Sequence, residues 1–271
     1  MRPLVAIAAA RFRMLLQYRG AALGGLVTQI FFGLTRIMVF EGFYRSATVA
    51  PPMDFRQAVA YVWLGQATLT LIPWNTDPEI REQVRAGTVV YELCRPLDLY
   101  AVWYARAVAW RSAPMLLRLV PMFVIVILVL PAIGLGEFAL TLPSGIGGGS
   151  AWLVALAGAL LISAALTTII HVGLLWTLGQ EGVSVIFFSL VSFCGGLVFP
   201  IPLFPAWAQT VLMALPFSGP LDLPARLYTG VLAPADLLWV LGHQLGWTGV
   251  LAALGRWLLG RQMRRMVIQG G

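Results

Sequence analysis

The sequence contains no lysine: all 18 of its basic residues are arginine. A phosphate-binding loop of the G-x-x-x-x-G-K-[ST] type needs a lysine beside the nucleotide phosphates, so this chain is not a conventional P-loop ATPase by itself. A catalytic Schiff-base lysine is excluded for the same reason.

Charged and sulfhydryl side chains are also scarce. Only 11% of the residues are charged and 59% are hydrophobic, and the mean hydropathy is +0.85. A soluble fold of this length cannot enclose so much apolar surface, which excludes an ordinary soluble protein. The two cysteines, Cys94 and Cys194, have no nearby partner in the sequence, so we expect two free thiols and no disulfide.

The apolar residues are gathered into six long stretches, each about long enough to cross a hydrocarbon core of roughly 30 Å as a helix. These stretches cover residues 20–40, 57–74, 112–133, 151–178, 183–204 and 237–259. They predict an all-α integral membrane protein with six transmembrane helices in a single domain, 1–271.

The arginines lie mainly on one side of this predicted topology. Twelve arginines fall in the termini and in the connections on the side of the termini, whereas Arg45, Arg56 and Arg226 fall on the opposite side. An excess of arginine marks the cytoplasmic face, so both termini are predicted to be cytoplasmic. The net charge of +7 follows from this topology and does not require a nucleic-acid partner.

Two connecting regions outside the predicted spans have features of their own. Residues 1–19 are predicted to form a short interfacial helix, with Leu4, Ala8 and Leu15 on its apolar face. The glycine-rich segment 134–150 is predicted to be a flexible outer loop.

His171, alone in the apolar stretch 151–178, is interpreted as a neutral packing residue that accepts or donates a hydrogen bond.

The segment that follows the second stretch is a short helix with clear start and stop signals. Asp77 suits the N-cap, Pro78 the first helical position and Gly87 a left-handed stop. The resulting helix, 78–86, is too short to cross a membrane and too charged to sink into one. A helix of this length is marginal alone in water, so we expect it to dock against something else.

The outer end of the fifth stretch is interrupted by Gly195, Gly196 and three prolines. Pro200, Pro202 and Pro205 cannot continue a straight helix. The segment 205–236 that follows is predicted to form an outer re-entrant hairpin or loop region before the sixth crossing. The glycine pair allows close backbone approach, which favours a contact between subunits; packing within one subunit is the alternative.

Several of these segments together resemble one protein family. The run from Ile80-Arg81 through Arg85-Ala86-Gly87 to Leu93-Cys94-Arg95-Pro96-Leu97 is similar to the cytoplasmic segment of a bacterial branch of the ABC-2 type exporter permeases. Gln17-Tyr18-Arg19, the proline motif at 200–205 with Leu215-Pro216-Phe217, and the C-terminal Val267-Ile268-Gln269-Gly270-Gly271 occur in the same order as in that family.

The resemblance implies a membrane-spanning subunit of an ATP-driven exporter in the bacterial inner membrane. Two copies of a separate ABC ATPase would bind ATP and Mg, this chain would carry no cofactor, and a second permease chain, identical or related, would complete the transporter. The helix 78–86 would be the coupling helix. The residues expected to couple to the ATPase are Glu79, Ile80, Arg81, Gln83, Val84 and Arg85, and those expected at an outer gate or interface are Gly195, Gly196, Phe199, Pro200, Pro202 and Phe204.

Two other classes of function remain as alternatives to export of a hydrophobic or amphipathic substrate. An intramembrane lipid-modifying enzyme would need catalytic groups, but the sequence has neither an H-E-x-x-H nor a G-x-S-x-G motif. An ion-coupled carrier would need carboxylates at membrane depth, whereas most of the 11 acidic residues lie in predicted loops.

Overall fold

The computed structural model describes residues 2–143, 145–176 and 181–264, and within these ranges the chain is helical with no β-strand. The α-helices are α1 Arg2–Leu15, α2 Arg19–Ser46, α3 Phe55–Ala67, α4 Pro78–Arg85, α5 Val89–Leu93, α6 Leu99–Val124, α7 Leu130–Ala132, α8 Gly145–Leu174, α9 Glu181–Cys194, α10 Ala206–Ala214, α11 Asp222–Thr229 and α12 Leu237–Met263. This confirms the all-helical prediction. Residue 144, the turn at 177–180 and the C-terminal motif at 267–271 lie outside the described residues.

Four helices in the described part are long and apolar enough to cross a membrane. They cover Ala22–Ser46, Leu99–Ala132, Gly145–Leu174 and Pro234–Met263. The second of these is continuous because a π-helical stretch, Ile125–Val129, joins α6 to α7. This helix therefore contains all but the last residue of the predicted third crossing, 112–133, together with residues 99–111 before it. The count of six crossings stays a prediction.

The predicted second and fifth crossings contain shorter helices than the sequence suggested. In 57–74, α3 ends at Ala67 and only a 3-10 turn, Leu69–Leu71, follows it. In 183–204, α9 ends at Cys194, before the glycine pair, and Gly196 has a left-handed φ of 84°. The helix therefore stops at the glycines and not at the prolines, because a residue at positive φ already ends the helical path.

The predicted flexible loop 134–150 is also shorter than expected. Its glycine-rich half is the beginning of α8, which starts at Gly145. Glycine is accommodated there by close packing: a Cβ at Gly149 would lie 3.1 Å from Pro143, and one at Gly147 would lie 3.3 Å from Pro234. The sequence pattern indicated flexibility where the small side chains instead permit contact.

The helix α3 lies at the centre of the bundle. All of its residues from Ala58 to Ala67 are buried, and it packs against α2, α6 and α11. The long helix α8 packs on its far side against α6, α11 and α12. A short helix buried on every side cannot be recognised from a span-length criterion, although its mainly apolar sequence from Ala58 to Ala67 is typical of a core element.

The chain between α3 and α4 is not helical, and Arg111 of α6 satisfies its backbone. The Arg111 guanidinium is 2% exposed and donates hydrogen bonds to the carbonyl oxygens of Thr70, Ile72 and Asn75 at 3.3, 3.0 and 2.5 Å. Unpaired carbonyl groups inside a bundle would be costly, so this side chain allows the helix to end early. Arg111 is one of the twelve arginines that the sequence assigned to the side of the termini. The expectation that it faces the headgroups is wrong, because it is buried inside the bundle.

Two short helices occupy the predicted outer region 205–236. The first is the apolar helix α10, which ends just before Pro216, and the second is α11. Burial raises the pKa of the Asp222 carboxyl at the start of α11, and the neighbouring Arg226 guanidinium, 2.7 Å away, opposes that rise. Tyr61 of α3 donates a hydrogen bond to the same carboxyl at 2.6 Å, which ties α11 to the core. Re-entry of this region into the membrane stays a prediction.

Candidate functional site: the short helix α4 and its anchor

The local geometry of α4 agrees with its sequence signals. The Asp77 side chain accepts a hydrogen bond from the Glu79 backbone N–H, Pro78 opens the helix, and Gly87 just beyond it has a φ of 69°. Only glycine adopts that backbone conformation without strain. The helix is therefore defined by its own sequence at both ends.

The apolar face of α4 is buried against the same chain. Ile80 is fully buried in a cluster with Val89, Trp103, Val172 and Leu259, and Val84 packs against that cluster. The expectation that α4 docks is met within this subunit. Ile80 and Val84 therefore attach α4 to the cluster formed by α6, α8 and α12, and the Ile80 side chain is not accessible to another protein.

Four charged side chains, Asp77, Glu79, Arg11 and Arg106, form what we call the anchor cluster. Asp77 is completely buried, and it accepts from Arg11 at 2.5 Å and from Arg106 at 3.2 Å. Glu79 accepts from Arg106 at 2.7 Å and also from Arg11. The two carboxylates and the two guanidinium groups compensate one another, so each buried charge has an opposite partner.

The anchor cluster connects three helices to the start of α4. Arg11 comes from α1 and Arg106 from α6, while His171 of α8 accepts a hydrogen bond from the Asp77 backbone N–H at 3.0 Å. Trp103 lies edge-on to the His171 ring, with the centroids 6.2 Å apart. His171 is fully buried, so it is a hydrogen-bonded packing residue, as the sequence predicted.

The sequence did not identify Arg11 as part of the site, although a signal was present. Leu4, Ile7, Arg11 and Leu15 follow one another at helical spacing and form the side of α1 that packs on α6. Val5, which follows Leu4 in the sequence, is 67% exposed and lies off this side of the helix. An arginine in register with apolar neighbours indicates a buried partner, and only the fold identifies that partner as Asp77.

The predicted coupling residues divide into buried and exposed groups. Ile80 is buried, Arg81, Gln83 and Val84 are partly buried, and Glu79 and Arg85 are exposed. Glu82, which the sequence analysis did not select, is exposed beside Arg85. The surface continues beyond Gly87 through Tyr91, which is 73% exposed, and Leu93. We call the residues Glu82, Arg85, Tyr91 and Leu93 the exposed face of α4 and α5.

The predicted outer gate residues lie close together in the segment that follows α9, and most of them are buried. Gly195, Gly196, Pro200 and Pro202 are buried, whereas Phe199 and Phe204 are partly exposed. A Cβ at Gly195 would lie 2.5 Å from the Phe217 carbonyl oxygen, and the Gly196 position faces Tyr61. The close approach that the glycines permit is thus within one subunit, which was the alternative considered from the sequence.

The aromatic residues of this end pack on one another. The Phe199 ring lies 5.4 Å from that of Phe204 and 5.9 Å from that of Phe40 in α2. Arg36, one turn before Phe40, donates a hydrogen bond to the Leu197 carbonyl oxygen. Arg36 therefore ties α2 to the loop after α9.

An all-helical chain with four membrane-length apolar helices and a short charged helix anchored to three of its elements is a multi-pass membrane protein. A family model described as "ABC-2 family transporter protein" matches residues 32–270, and the chain belongs to that family. It is accordingly a membrane component of a transport system. No curated protein and no solved structure matched the chain.

Proposed function

We propose that this chain is the permease subunit of an ATP-driven exporter in the bacterial inner membrane, with both termini cytoplasmic. It would move a hydrophobic or amphipathic substrate outward. Two copies of a separate ABC ATPase would bind ATP and Mg, and a second permease chain, identical or related, would complete the pathway. Family membership and the absence of lysine support this division of labour.

The observation that carries the proposal is the way α4 is held. Its inner side is fixed by Ile80 and by the anchor cluster, and its other side presents Glu82 and Arg85 to the surroundings. A short helix that is rigidly tied to α1, α6 and α8 can transmit a displacement to all three. A solvated turn of the same length would deform instead.

This division changes the expected role of the coupling residues. We assign contact with the ATPase to Glu82, Arg85 and the rest of the exposed face of α4 and α5. Ile80 and Val84 serve to attach α4 to the membrane domain. Ile80→Asp would place an unpaired charge in the core of this subunit, so that variant cannot distinguish loss of docking from loss of folding.

The test is co-purification of the permease with its ATPase. Charge reversal by Glu82→Lys together with Arg85→Glu should reduce ATPase recovery about tenfold or more, since like charges would face each other across an interface. Thermal unfolding of the isolated permease should stay within about 0.5 kcal/mol of wild type, because these side chains are exposed. Arg13→Glu, an exposed change on α1, is the matched control. Full ATPase recovery by the double variant would contradict the assignment.

A further inference from the structure

Among the residues that the structure describes, Arg118 of α6 has no counter-ion. It makes no hydrogen bond or ion pair with any of them, and its Nε atom is buried without a partner. It lies seven residues beyond Arg111, about 10 Å further along the helix, within a membrane-length span. Cations at membrane depth are costly and are normally paired or aimed at a polar ligand.

Arg118 lines a cavity of about 450 Å³ between α1, α2, α4 and α6. Such a volume is typical of small-ligand sites. Most of the lining side chains are apolar, and the polar groups come from Arg11, Tyr18, Glu79, Trp110 and Arg118. The complete lining is Arg11, Met14, Leu15, Tyr18, Ala22, Pro78, Glu79, Trp110, Pro114, Leu117 and Arg118.

The charges around this cavity leave Arg118 in excess. Glu79 is the only acidic residue in the cavity lining, and it already accepts from Arg11 and Arg106. Asp77 is shared between the same two arginines. The anchor cluster is thus neutral by itself, and one positive charge remains beside an apolar wall.

A second cavity provides an internal comparison. It has about 480 Å³, lies between α1, α6 and α12, and contains Arg256. That guanidinium is already engaged, because it lies 3.4 Å from the Asp98 carboxylate and 4.8 Å from the centre of the Tyr100 ring. The two cavities are similar in size and apolar character, and only the one at Arg118 has an unsatisfied charge.

We propose that the cavity at Arg118 binds an anionic phospholipid of the cytoplasmic leaflet. The phosphate would contact Arg118, and the acyl chains would lie along Leu15, Ala22 and Leu117. A headgroup phosphate supplies the missing negative charge, and the acyl chains match the apolar wall. The inference rests on the proposed orientation, with the termini cytoplasmic, but it concerns the permease at rest and does not require the proposed transport.

Gly25 of α2 shapes this site. A Cβ at Gly25 would lie 2.7 Å from the Arg118 Cζ and Nη2 atoms, so the guanidinium lies flat against the glycine backbone. A Cβ at the adjacent Gly24 would have no neighbouring atom within 4 Å. Gly25→Ala therefore displaces the Arg118 head from its position, whereas Gly24→Ala leaves it unchanged.

The experiment is native mass spectrometry of the full-length chain, purified with any bound subunits and titrated with phosphatidylglycerol or with phosphatidylcholine of identical acyl chains. Arg118→Gln should weaken phosphatidylglycerol binding about tenfold or more, since a hydrogen bond to a charged group is lost. Arg118→Lys should retain most of the binding, Gly25→Ala should weaken it, and Gly24→Ala should match wild type. Binding of phosphatidylcholine should be weak and equal in all variants.

Four results would overturn the proposal. The first is equal binding of the two lipids by wild type, and the second is unchanged phosphatidylglycerol binding by Arg118→Gln. The third concerns the source of the phosphate: release of the bound lipid when the complex turns over ATP would assign the site to transported cargo. If no lipid is retained and Leu117→Cys cross-links two permease chains, a second copy covers the cavity and the proposal fails.

Discussion

At the scale of single residues, Asp77 has the most varied role in the described structure. Its carboxylate caps α4 and pairs with Arg11 and Arg106, and its backbone N–H donates to His171. The cap is a local interaction, whereas the other contacts come from helices far away in sequence. Because Asp77 is fully buried, loss of its charge leaves two guanidinium groups poorly compensated.

We therefore expect Asp77→Ala to destabilise the permease by about 3–5 kcal/mol, the usual cost of removing one partner from a buried ion pair. Asp98→Ala is the matched control, because Asp98 caps α6 in the same way but is 54% exposed. That variant should lose the cap and an exposed ion pair with Arg256, about 1–2 kcal/mol together. Denaturant unfolding in detergent provides the comparison, and equal losses in the two variants would refute a role for the anchor cluster.

At the scale of elements, the end of α9 shows how small residues permit a break inside a packed bundle. Gly195 lies against the backbone of Phe217, and Gly196 turns the chain toward the prolines. The segment after the glycines then contacts α2 through Arg36 and Phe40. Movement of α2 relative to this outer segment must therefore break contacts within a single subunit.

Gly195→Ala should accordingly destabilise the isolated permease by about 1–3 kcal/mol, the typical cost of overpacking. The neighbouring group is a backbone carbonyl oxygen, which cannot rotate away as a side chain can. Gly242→Ala in α12 is the control, because nothing lies within 4 Å of a Cβ there. Thermal unfolding in detergent measures both variants. A stable Gly195→Ala permease that fails only to form dimers would instead favour an interface role for this glycine.

At the scale of the whole molecule, the distribution of arginine sets the orientation, but not every arginine contributes to it equally. Arg11, Arg106 and Arg111 are buried in the protein, so they do not face the headgroups. Most of the other described arginines on the same side of the topology, such as Arg85 and Arg95, are exposed, and Arg81 is partly buried. The excess on the side of the termini persists after the buried ones are removed, and the prediction of cytoplasmic termini stands.

This orientation can be tested by thiol labelling in a chain that lacks Cys94 and Cys194. Ser46→Cys and Ile146→Cys, both at exposed positions, should react with a membrane-impermeant reagent in intact cells. Arg85→Cys should react only after permeabilisation, since α4 lies on the arginine-rich side. Ser218 is fully buried and would be a poor reporter. Reaction of Arg85→Cys in intact cells would reverse the assigned topology.

Part of this description followed from the sequence by itself. Apolar length identified the four long helices, because a membrane-crossing helix must satisfy its own backbone over about 20 residues. Asp77, Pro78 and Gly87 determined α4 almost to the residue, because caps act on their immediate neighbours. The family motif at 80–97 likewise depends on adjacent residues, and the family match confirmed it.

Only the tertiary structure decided which charges are buried and which helices are short. The pairing of Arg11 with Asp77 joins residues 66 positions apart, and the early end of α3 depends on a guanidinium supplied by α6. The glycine pair after α9 gave no sign in sequence of its neighbour within the chain, and the fold places Gly195 against the Phe217 carbonyl group; its contact with another subunit stays a prediction. Contacts between distant residues carry no local signal, because any arginine or glycine looks the same in sequence until its partner is in place.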